Sequence, residues 1–240
     1  MTLDKVEYIE ILKQCNATST LLADALGKKE TLPACTQLSG SNNQSLIGPI
    51  FPLFASNGSN YNIHKHISEV PSDSIVVIFT YNCSGLAVLG EIVCDYLFNI
   101  ARAKALVVHG LIRDVDEIRQ KNYPVWALGS HPVGCRNNNY GDFPSEAKSD
   151  IINKYSSSIA ICDASGVSAV SYAQLVRPEI ISSIHFMSLQ ERIWSYCVNE
   201  LKWDTYKTIV KKDYLLRIHR SLFSPDILDL VDKLAAIVEQ

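Results

Sequence analysis

The stretch ALVVHGLIRDVDEIRQKNYPVWALGSHP, which runs from Ala105 to Pro132, decides the fold. It opens with an apolar run that is typical of a buried strand, and a second apolar run follows Pro124. Between the two runs, the spacing of VDEIRQK predicts a short helix over Asp114–Lys121. This order of strand, helix and strand predicts a βαβ unit, in which Arg113 and Asp114 lie side by side where the first strand ends.

The same alternation precedes this stretch. The β-branched run SIVVIFT predicts another buried strand, and a glycine-containing loop then leads into a helix from about Leu89 to Ala103. The apolar run IGPIFPLF predicts one strand set in loops between Thr31 and Asn60. Further along, SSIAICDASGVSAV predicts two short strands that hinge at Asp163–Gly166. These elements predict an α/β fold built of βαβ units.

Helical periodicity dominates both ends of the chain. Residues 1–30 form a predicted N-terminal helical segment, and residues 178–240 form a predicted C-terminal helical extension. The chain has no internal repeat and no low-complexity tract, and no clear linker separates these segments from the centre. We therefore expect a single α/β domain over residues 1–240.

The composition limits the possible classes of protein. The chain has 240 residues, 47% of them apolar, which is enough for a sizeable core, and its net charge of −3 argues against general nucleic-acid affinity. The N-terminal sequence lacks the layout of a signal peptide, and no apolar run approaches the length of a membrane span. The seven cysteines form no C-x-x-C pair. We expect a cytoplasmic protein, with reduced cysteines and no membrane partner.

The pair Arg113–Asp114 is the main candidate site. If the strand ends at Val108, then His109 and the following residues leave its carboxyl end, where α/β proteins usually bind ligands. An arginine fork suits a carboxylate, and an aspartate suits Mg²⁺ or Mn²⁺, so together they could hold a 2-oxo acid. A structural alternative remains open, in which Asp114 caps the helix with Glu117 and Arg113 forms a surface ion pair.

A second part of the predicted binding pocket comes from the preceding βα unit. The sequence GLAVLGE, which ends with Gly90 and Glu91, opens a helix whose free backbone amides could bind a carboxylate or a phosphate. The other histidine candidates, His64 and His66, are two residues apart and would lie on different sides of a helix. We therefore interpret both of them as surface residues.

These pieces match a known pattern. The segment GEIVCDYLFNIARAKALVVHGLIRDVDEIRQKNYPVWALGSHP resembles the core of a family with two kinds of member. One is the regulator of ribonuclease activity A, and the others are the class II aldolases of 4-hydroxy-4-methyl-2-oxoglutarate and 4-carboxy-4-hydroxy-2-oxoadipate. The segment ICDASGVSAV is similar to a later part of the family pattern. The resemblance implies an RraA-like α/β/β sandwich.

The resemblance also implies a homotrimer with active sites between subunits and a role for several residues. Arg113 would bind the pyruvyl carboxylate and help to hold the enolate, and Asp114 would ligate Mg²⁺ or Mn²⁺. Glu191, contributed by the adjacent subunit, would help to hold metal-bound water. The substrate would also be bound by the loop that opens the preceding helix, at Gly90, Glu91 and Ile92.

One departure from the family pattern bears on function. Where the family has an aspartate before glycine, this chain has His109, which could transfer protons near neutral pH or could pack as a neutral ring. The first hypothesis is therefore a metal-dependent lyase acting on a small 2-oxo acid, with Arg113 and His109 as catalytic residues. The alternatives are a non-catalytic trimeric binding or regulatory protein, and a specialised enzyme in which His109 serves a changed chemistry.

Overall fold

The structure is a computed structural model that describes residues 5–28, 32–33, 35–40 and 44–238. Residues 1–4 and 29–30 of the predicted N-terminal helical segment lie outside this part. The chain divides into two compact units, Met1–Arg177 and Pro178–Gln240. Within the described ranges, no helix is both long and apolar enough to cross a membrane.

The first unit is built on one sheet of eight strands in the order β1-β6-β5-β3-β2-β7-β8, with β4 paired to β5. The central strands β2, β3, β5 and β6 are parallel, and the outer strands are antiparallel to their neighbours. The strands are β1 Thr36–Ser39, β2 Leu46–Ser56, β3 Ile75–Tyr81, β4 Ala87–Leu89, β5 Ala105–Ile112, β6 Val125–Ser130, β7 Ser158–Asp163 and β8 Gly166–Ser171.

Short helices connect these strands, as the alternating sequence pattern predicts. One of them, α4, continues past its last residue into a wider helical turn over Tyr96–Ile100. The helices of the first unit are α1 Lys5–Gln14, α2 Ser19–Ala25, α3 Tyr61–His66, α4 Glu91–Asp95, α5 Val115–Gln120, α6 Ser145–Tyr155 and α7 Tyr172–Leu175.

The two faces of the central strands bury different partners. One face packs against α3, α4 and α5 through a cluster that includes Ile63, Leu97 and Ile118. The opposite face packs against the β7–β8 hairpin through a cluster that includes Trp126 and Ala160. The strands are buried on both faces, which explains their continuous apolar runs. This layering of helices, sheet and hairpin confirms the predicted α/β/β architecture.

The long strand β2 allows one sheet to supply both β layers. Its first residues, Leu46–Pro49, pair with β7, and the rest, Ile50–Ser56, pair with β3 on the other side. Gly48 lies at this change of partner, where a Cβ would come within 2.9 Å of the Asp73 carbonyl oxygen. The hairpin can therefore fold over the face of the sheet from which it extends.

The second unit is helical. It contains α8 Pro178–Asn199 and α9 Pro225–Val238, joined by short helical turns between residues 206 and 222. Ile193, Cys197 and Leu234 are buried between them, and Gln190 Nε2 donates to the buried Tyr214 hydroxyl at 3.0 Å. Glu191 lies on the exposed side of α8.

Asp163 ties the β7–β8 hairpin to the start of α2. Its carboxylate accepts hydrogen bonds from the Ser19 backbone amide at 2.6 Å and from the Ser19 hydroxyl at 2.7 Å. It also accepts the Ser165 amide at 2.9 Å, within the turn of the hairpin. Ser19 is buried, so its donors have no ready substitute partner in water.

We expect Asp163→Ala to lower the free energy of unfolding by about 1–3 kcal/mol, because it leaves the buried Ser19 donors unpaired. Urea denaturation measures this change. The exposed Asp150 on α6 provides the control, since Asp150→Ala should stay within about 0.5 kcal/mol of the original protein. Equal effects of the two substitutions would contradict the structural role of Asp163.

Candidate active site at the end of strand β5

Asp114 adopts an unusual backbone conformation directly after β5. Its φ of 58° and ψ of 41° lie in the left-handed region, which aspartate tolerates better than most residues. Although Asp114 precedes α5, its side chain makes no capping hydrogen bond to that helix. Instead, Oδ2 accepts the backbone amide of Glu91 at 3.1 Å. The capping interpretation of Asp114 is therefore wrong.

Arg113 lies next to this carboxylate and keeps its guanidinium accessible. Its Nε is 3.6 Å from Asp114 Oδ2, and half of its side chain is exposed to solvent. Its backbone amide donates to the Leu89 carbonyl at 3.0 Å, which anchors the residue to β4. Such a half-exposed ion pair contributes little stability. It is the surface ion pair that the structural alternative expected of Arg113.

Two glycines leave room for these side chains. A Cβ at Gly90 would overlap Asp114 Oδ2 and would approach Arg113 Cγ to 3.0 Å. A Cβ at Gly134 would lie 2.7 Å from one terminal nitrogen of the Arg113 guanidinium. A Cβ at Gly90 would displace the Asp114 carboxylate, whereas at Gly134 only the flexible end of Arg113 would have to shift. The predicted wall at Gly90 does meet Arg113 and Asp114.

A network of charges holds α4 against the segment after α5. Lys121 Nζ lies 2.6 Å from Glu91 Oε1 and 2.7 Å from Asp95 Oδ1. The two carboxylates, Asp95 first, hold the pKa of Lys121 above its ordinary value, and Lys121 with Tyr123 lowers the pKa of Asp95. The network therefore holds the first turn of α4 in a position from which the Glu91 backbone amide can donate to Asp114.

A pocket of about 290 Å³ opens over this group. Its walls come from the start of α3, from β4, from the start of α4 and from the segment after β6. The lining residues are Asn60, His64, Ala87, Leu89, Gly90, Ile92, Val93, Arg113, Asp114, Gly134, Cys135 and Asn137. We call this cavity the Arg113 pocket.

Four of the predicted residues line this pocket, and three do not. Gly90, Ile92, Arg113 and Asp114 line it. The Glu91 side chain is engaged by Lys121, and its amide is already bonded to Asp114. Glu191 belongs to the second unit, and its predicted metal role stays a prediction.

His109 is the third predicted residue that does not line the pocket. Strand β5 continues to Ile112 and does not end at Val108, so the His109 side chain follows the alternation of a strand. Its ring packs edge-on against Phe79, with centroids 4.7 Å apart, on the face that holds the β7–β8 hairpin. The expectation that His109 stands beside Arg113 and Asp114 is therefore corrected.

Burial keeps His109 neutral. Desolvation lowers its pKa to about 4, and Nε2 is buried with no hydrogen-bond partner in the described part of the chain. At neutral pH the ring is an uncharged imidazole in an apolar layer. This agrees with the alternative, given in the sequence analysis, in which His109 packs as a neutral ring.

Two pocket residues were missed or set aside by sequence reasoning. His64, interpreted from its spacing as a surface residue, is exposed but lines the pocket. Asn60 is 8% exposed, donates from Nδ2 to the Val88 carbonyl at 3.0 Å, and keeps its Oδ1 unpaired among the described residues. Both are more than 45 positions from Arg113, so no local pattern could connect them to it.

The pocket offers a limited set of metal donors. In the described ranges, no group of three or more His, Cys, Asp or Glu residues is arranged to hold a metal ion. Asp114 presents a carboxylate whose side chain is 39% exposed. Mg²⁺ is often held by one or two carboxylates, with water and ligand oxygens completing its shell. Asp114 alone therefore fits a hydrated ion that keeps most of its water ligands, and not an ion held by a complete set of protein ligands.

The chain belongs to the RraA-like family, whose description is Aldolase/RraA. The family model matches residues 18–168, which is more than half of the chain and includes every residue that lines the Arg113 pocket. The family contains aldolases and RraA proteins, so membership alone does not distinguish catalysis from binding.

Solved structures show the same fold. An uncharacterized protein from Pseudomonas syringae matches with a TM-score of 0.64 and 20% identity, over 88% of this chain and 96% of that one. RraAS2 of Streptomyces coelicolor, an unusual member of the RNase ES inhibitor RraA protein family, matches with a TM-score of 0.60 and 20% identity. That match covers 80% of this chain and 96% of RraAS2.

A curated relative shares part of the sequence. Protein DlpA of Legionella pneumophila is 28% identical over 138 residues, which is 55% of this chain. The chain spans about a fifth of the length of DlpA, since the match covers 22% of it.

The half-buried position of His109, with its Nε2 fully buried, predicts sensitivity to acid. Its pKa is lower in the folded than in the unfolded state, so between about pH 6.5 and about pH 4 only the unfolded chain takes up the proton. The free energy of unfolding should therefore fall as the pH falls through this window. We expect His109→Phe to reduce this fall by about 2 kcal/mol.

Urea denaturation at a series of pH values measures the effect. The matched control is His185→Gln, because His185 is exposed on α8 and its replacement should leave the pH dependence as in the original protein. If His109→Phe and the original protein lose stability in parallel on acidification, His109 is not buried as a neutral ring.

Proposed function

We propose that the protein is a divalent-metal-dependent lyase that acts on a small 2-oxo acid, by retro-aldol cleavage or by decarboxylation. The observation that carries the proposal is the meeting of the Arg113 guanidinium and the Asp114 carboxylate at one pocket, with Gly90 and Gly134 leaving room for them. An arginine fork and an oxygen ligand suit the carboxylate and the metal-bound oxygens of such a substrate. Membership in a family that includes aldolases supports this class of reaction.

Arg113 has the largest role in the proposed mechanism. Its guanidinium binds the substrate carboxylate and stabilises the negative charge of the pyruvate enolate, which forms in either reaction. When bound to Asp114, Mg²⁺ or Mn²⁺ would supply Lewis-acid stabilisation of the same charge. The hydrogen bond from the Glu91 amide holds the Asp114 side chain at the pocket before any ligand arrives.

The enolate carbon must accept a proton before pyruvate can leave. The His109 ring lies on the opposite face of the sheet and cannot donate this proton. We therefore propose that His64, which is exposed and lines the Arg113 pocket, is the proton donor. An accessible imidazole exchanges protons readily near neutral pH. Gly90 and Ile92 contribute backbone amides to substrate binding in this proposal.

A second copy of the chain completes the proposed site. We propose a homotrimer in which Glu191 of one copy reaches the Arg113 pocket of the next, since among the described residues Asp114 alone offers a carboxylate at that pocket. The proposal places the protein in the cytoplasm, where its free cysteines would stay reduced.

Release of pyruvate from oxaloacetate tests the proposal. We expect the purified protein to release pyruvate only with Mg²⁺ or Mn²⁺, and Arg113→Ala to lower kcat/KM by about 10²–10³, because it removes the charge that stabilises the enolate. A coupled assay that consumes pyruvate measures the rate. Arg113→Lys should recover part of the rate, since it restores the charge without the planar fork.

The control for this substitution is Arg217→Ala, which removes an exposed arginine from the second unit and should leave the rate unchanged. Full activity in the presence of a chelator would exclude the metal-dependent mechanism. Full activity of Arg113→Ala would exclude the proposed site.

The two histidines make opposite predictions for proton transfer. We expect His64→Gln to lower kcat at least about tenfold, because general acid–base groups typically contribute that much or more. His109→Phe should retain the rate at neutral pH, since it replaces one packed ring with another. The same pyruvate assay measures both variants, and the reverse result would return the catalytic role to His109 and favour an enzyme with changed chemistry.

A non-catalytic binding or regulatory function is the second candidate. The poor set of metal donors and the replacement of the family aspartate by His109 favour it. Titration calorimetry with MnCl₂ and oxalate separates the two functions, since the lyase should take up both. No uptake and no pyruvate release, together with slower RNA cleavage when the protein is added to an RNase E-type nuclease, would favour this candidate.

A further inference from the structure

Two cysteines from distant parts of the sequence meet beside the Arg113 pocket. Cys83 lies in the turn between β3 and β4, and Cys135 lies in the segment after β6. Backbone hydrogen bonds hold this segment to β4: the Ala87 amide donates to the Val133 carbonyl, and the Cys135 amide donates to the Ala87 carbonyl, both at 2.8 Å. In the turn, the Leu86 amide donates to the Cys83 carbonyl at 3.1 Å, so backbone hydrogen bonds hold both cysteines in place.

The two thiols are in direct contact. The Cys135 side chain is hydrogen-bonded to the Cys83 sulfur, and this sulfur also lies 3.4 Å from the Tyr81 carbonyl oxygen, to which its thiol can donate. Cys83 is buried, whereas Cys135 is half-buried and lines the pocket. Neither residue has a role in the function proposed above.

The electrostatic surroundings favour a thiolate at Cys83. Hydrogen bonding from Cys135 lowers the pKa of Cys83 to about 6, although burial acts in the opposite direction. The pKa of Cys135 rises, because it would have to ionise next to that thiolate. The pair therefore combines a nucleophilic sulfur with a thiol that remains protonated at neutral pH.

The remaining cysteines provide a comparison within the same chain. Burial raises the pKa of Cys35 to about 11 and raises that of Cys162 well above its ordinary value. These two share one apolar cluster, and Cys162 has no exposed surface. Burial likewise raises the pKa of Cys94 and of Cys197.

We propose that Cys83 and Cys135 form a redox-active dithiol, which hydrogen peroxide converts into an intramolecular disulfide at the wall of the Arg113 pocket. The inference rests on the contact between the two thiols and on their position, since Cys135 lines the pocket and the Cys83 sulfur lies directly behind it. It holds whether or not the protein is a lyase.

The reaction balances in two steps. The Cys83 thiolate attacks one peroxide oxygen, the O–O bond breaks, and the departing hydroxide takes a proton to become water, which leaves a sulfenic acid on Cys83. The Cys135 sulfur then attacks the Cys83 sulfur, the S–O bond breaks, and a second water leaves with the Cys135 proton. Two thiols lose two electrons in total, and one peroxide is reduced to two waters.

The bond would act on the wall of the pocket. Cys135 follows Gly134, whose backbone lies against the Arg113 guanidinium. A disulfide would join this wall covalently to the turn after β3. In the reduced protein, hydrogen bonds and apolar packing hold the same two segments together without a covalent link.

Peptide mapping after peroxide treatment of the full chain tests the proposal. The protein is exposed to limiting hydrogen peroxide, the remaining thiols are alkylated under denaturing conditions, and the digest is analysed by mass spectrometry. We expect the loss of two alkylatable thiols and one cross-linked peptide that joins Cys83 to Cys135, reversible with dithiothreitol. The pair should form at least about tenfold faster than any product at Cys35 or Cys162.

Single substitutions separate the two roles. Cys135→Ser should block the disulfide and leave a sulfenic acid on Cys83 that dimedone traps, whereas Cys83→Ser should give neither product. The control is Cys35→Ser, which should form the Cys83–Cys135 bond as the original protein does. Seven alkylatable thiols after treatment, or cross-links that join other cysteines or separate molecules, would overturn the proposal, and both outcomes are read on the original protein without any variant.

Discussion

The hydrogen bond from the Glu91 backbone amide to Asp114 Oδ2 is the interaction on which the rest of the site depends. It draws the aspartate side chain away from the helix that it precedes, and the left-handed backbone of Asp114 makes this turn possible. It also requires that position 90 have no side chain, because a Cβ there would occupy the space of the carboxylate. This hydrogen bond thus joins two consecutive βα units. Arg113, the neighbour of Asp114, lines the pocket beside it.

Local patterns in the sequence predicted most of the frame that supports this contact. The apolar runs of β3 and β5 are rich in β-branched residues, and the shorter run of β6 is bounded by Pro124 and Gly129, so the identity of these strands does not depend on distant residues. The position of Arg113 and Asp114 after a buried strand was predictable for the same reason. The short strands β1 and β4 were not predicted, because strands of three or four residues carry too little periodicity. The polar helix α6 was missed for the lack of an apolar stripe.

The histidines show where such reasoning fails. The end of β5 was expected at Val108, but pairing with β4 and β6 extends the strand to Ile112. Because side chains alternate along a strand, this extension directs His109 to the face opposite the helices. His64 reaches the pocket only because α3 packs beside the sheet. Since His64 and Arg113 are far apart in the sequence, no local pattern predicts that they line the same pocket. The same holds for the meeting of Cys83 and Cys135.

The surroundings of position 109 favour the histidine found there over the aspartate that the family resemblance leads one to expect. The ring at position 109 lies against Phe79, within an apolar layer, and a carboxylate buried there without a partner would cost several kcal/mol. A neutral imidazole is easier to bury. Asn60, by contrast, keeps a buried amide oxygen unpaired among the described residues at the pocket itself, where a ligand or a water molecule could donate to it. The polar groups that line the Arg113 pocket therefore come from the start of α3, from the segment after β6, and from Arg113 and Asp114 just beyond the end of β5, and not from within β5.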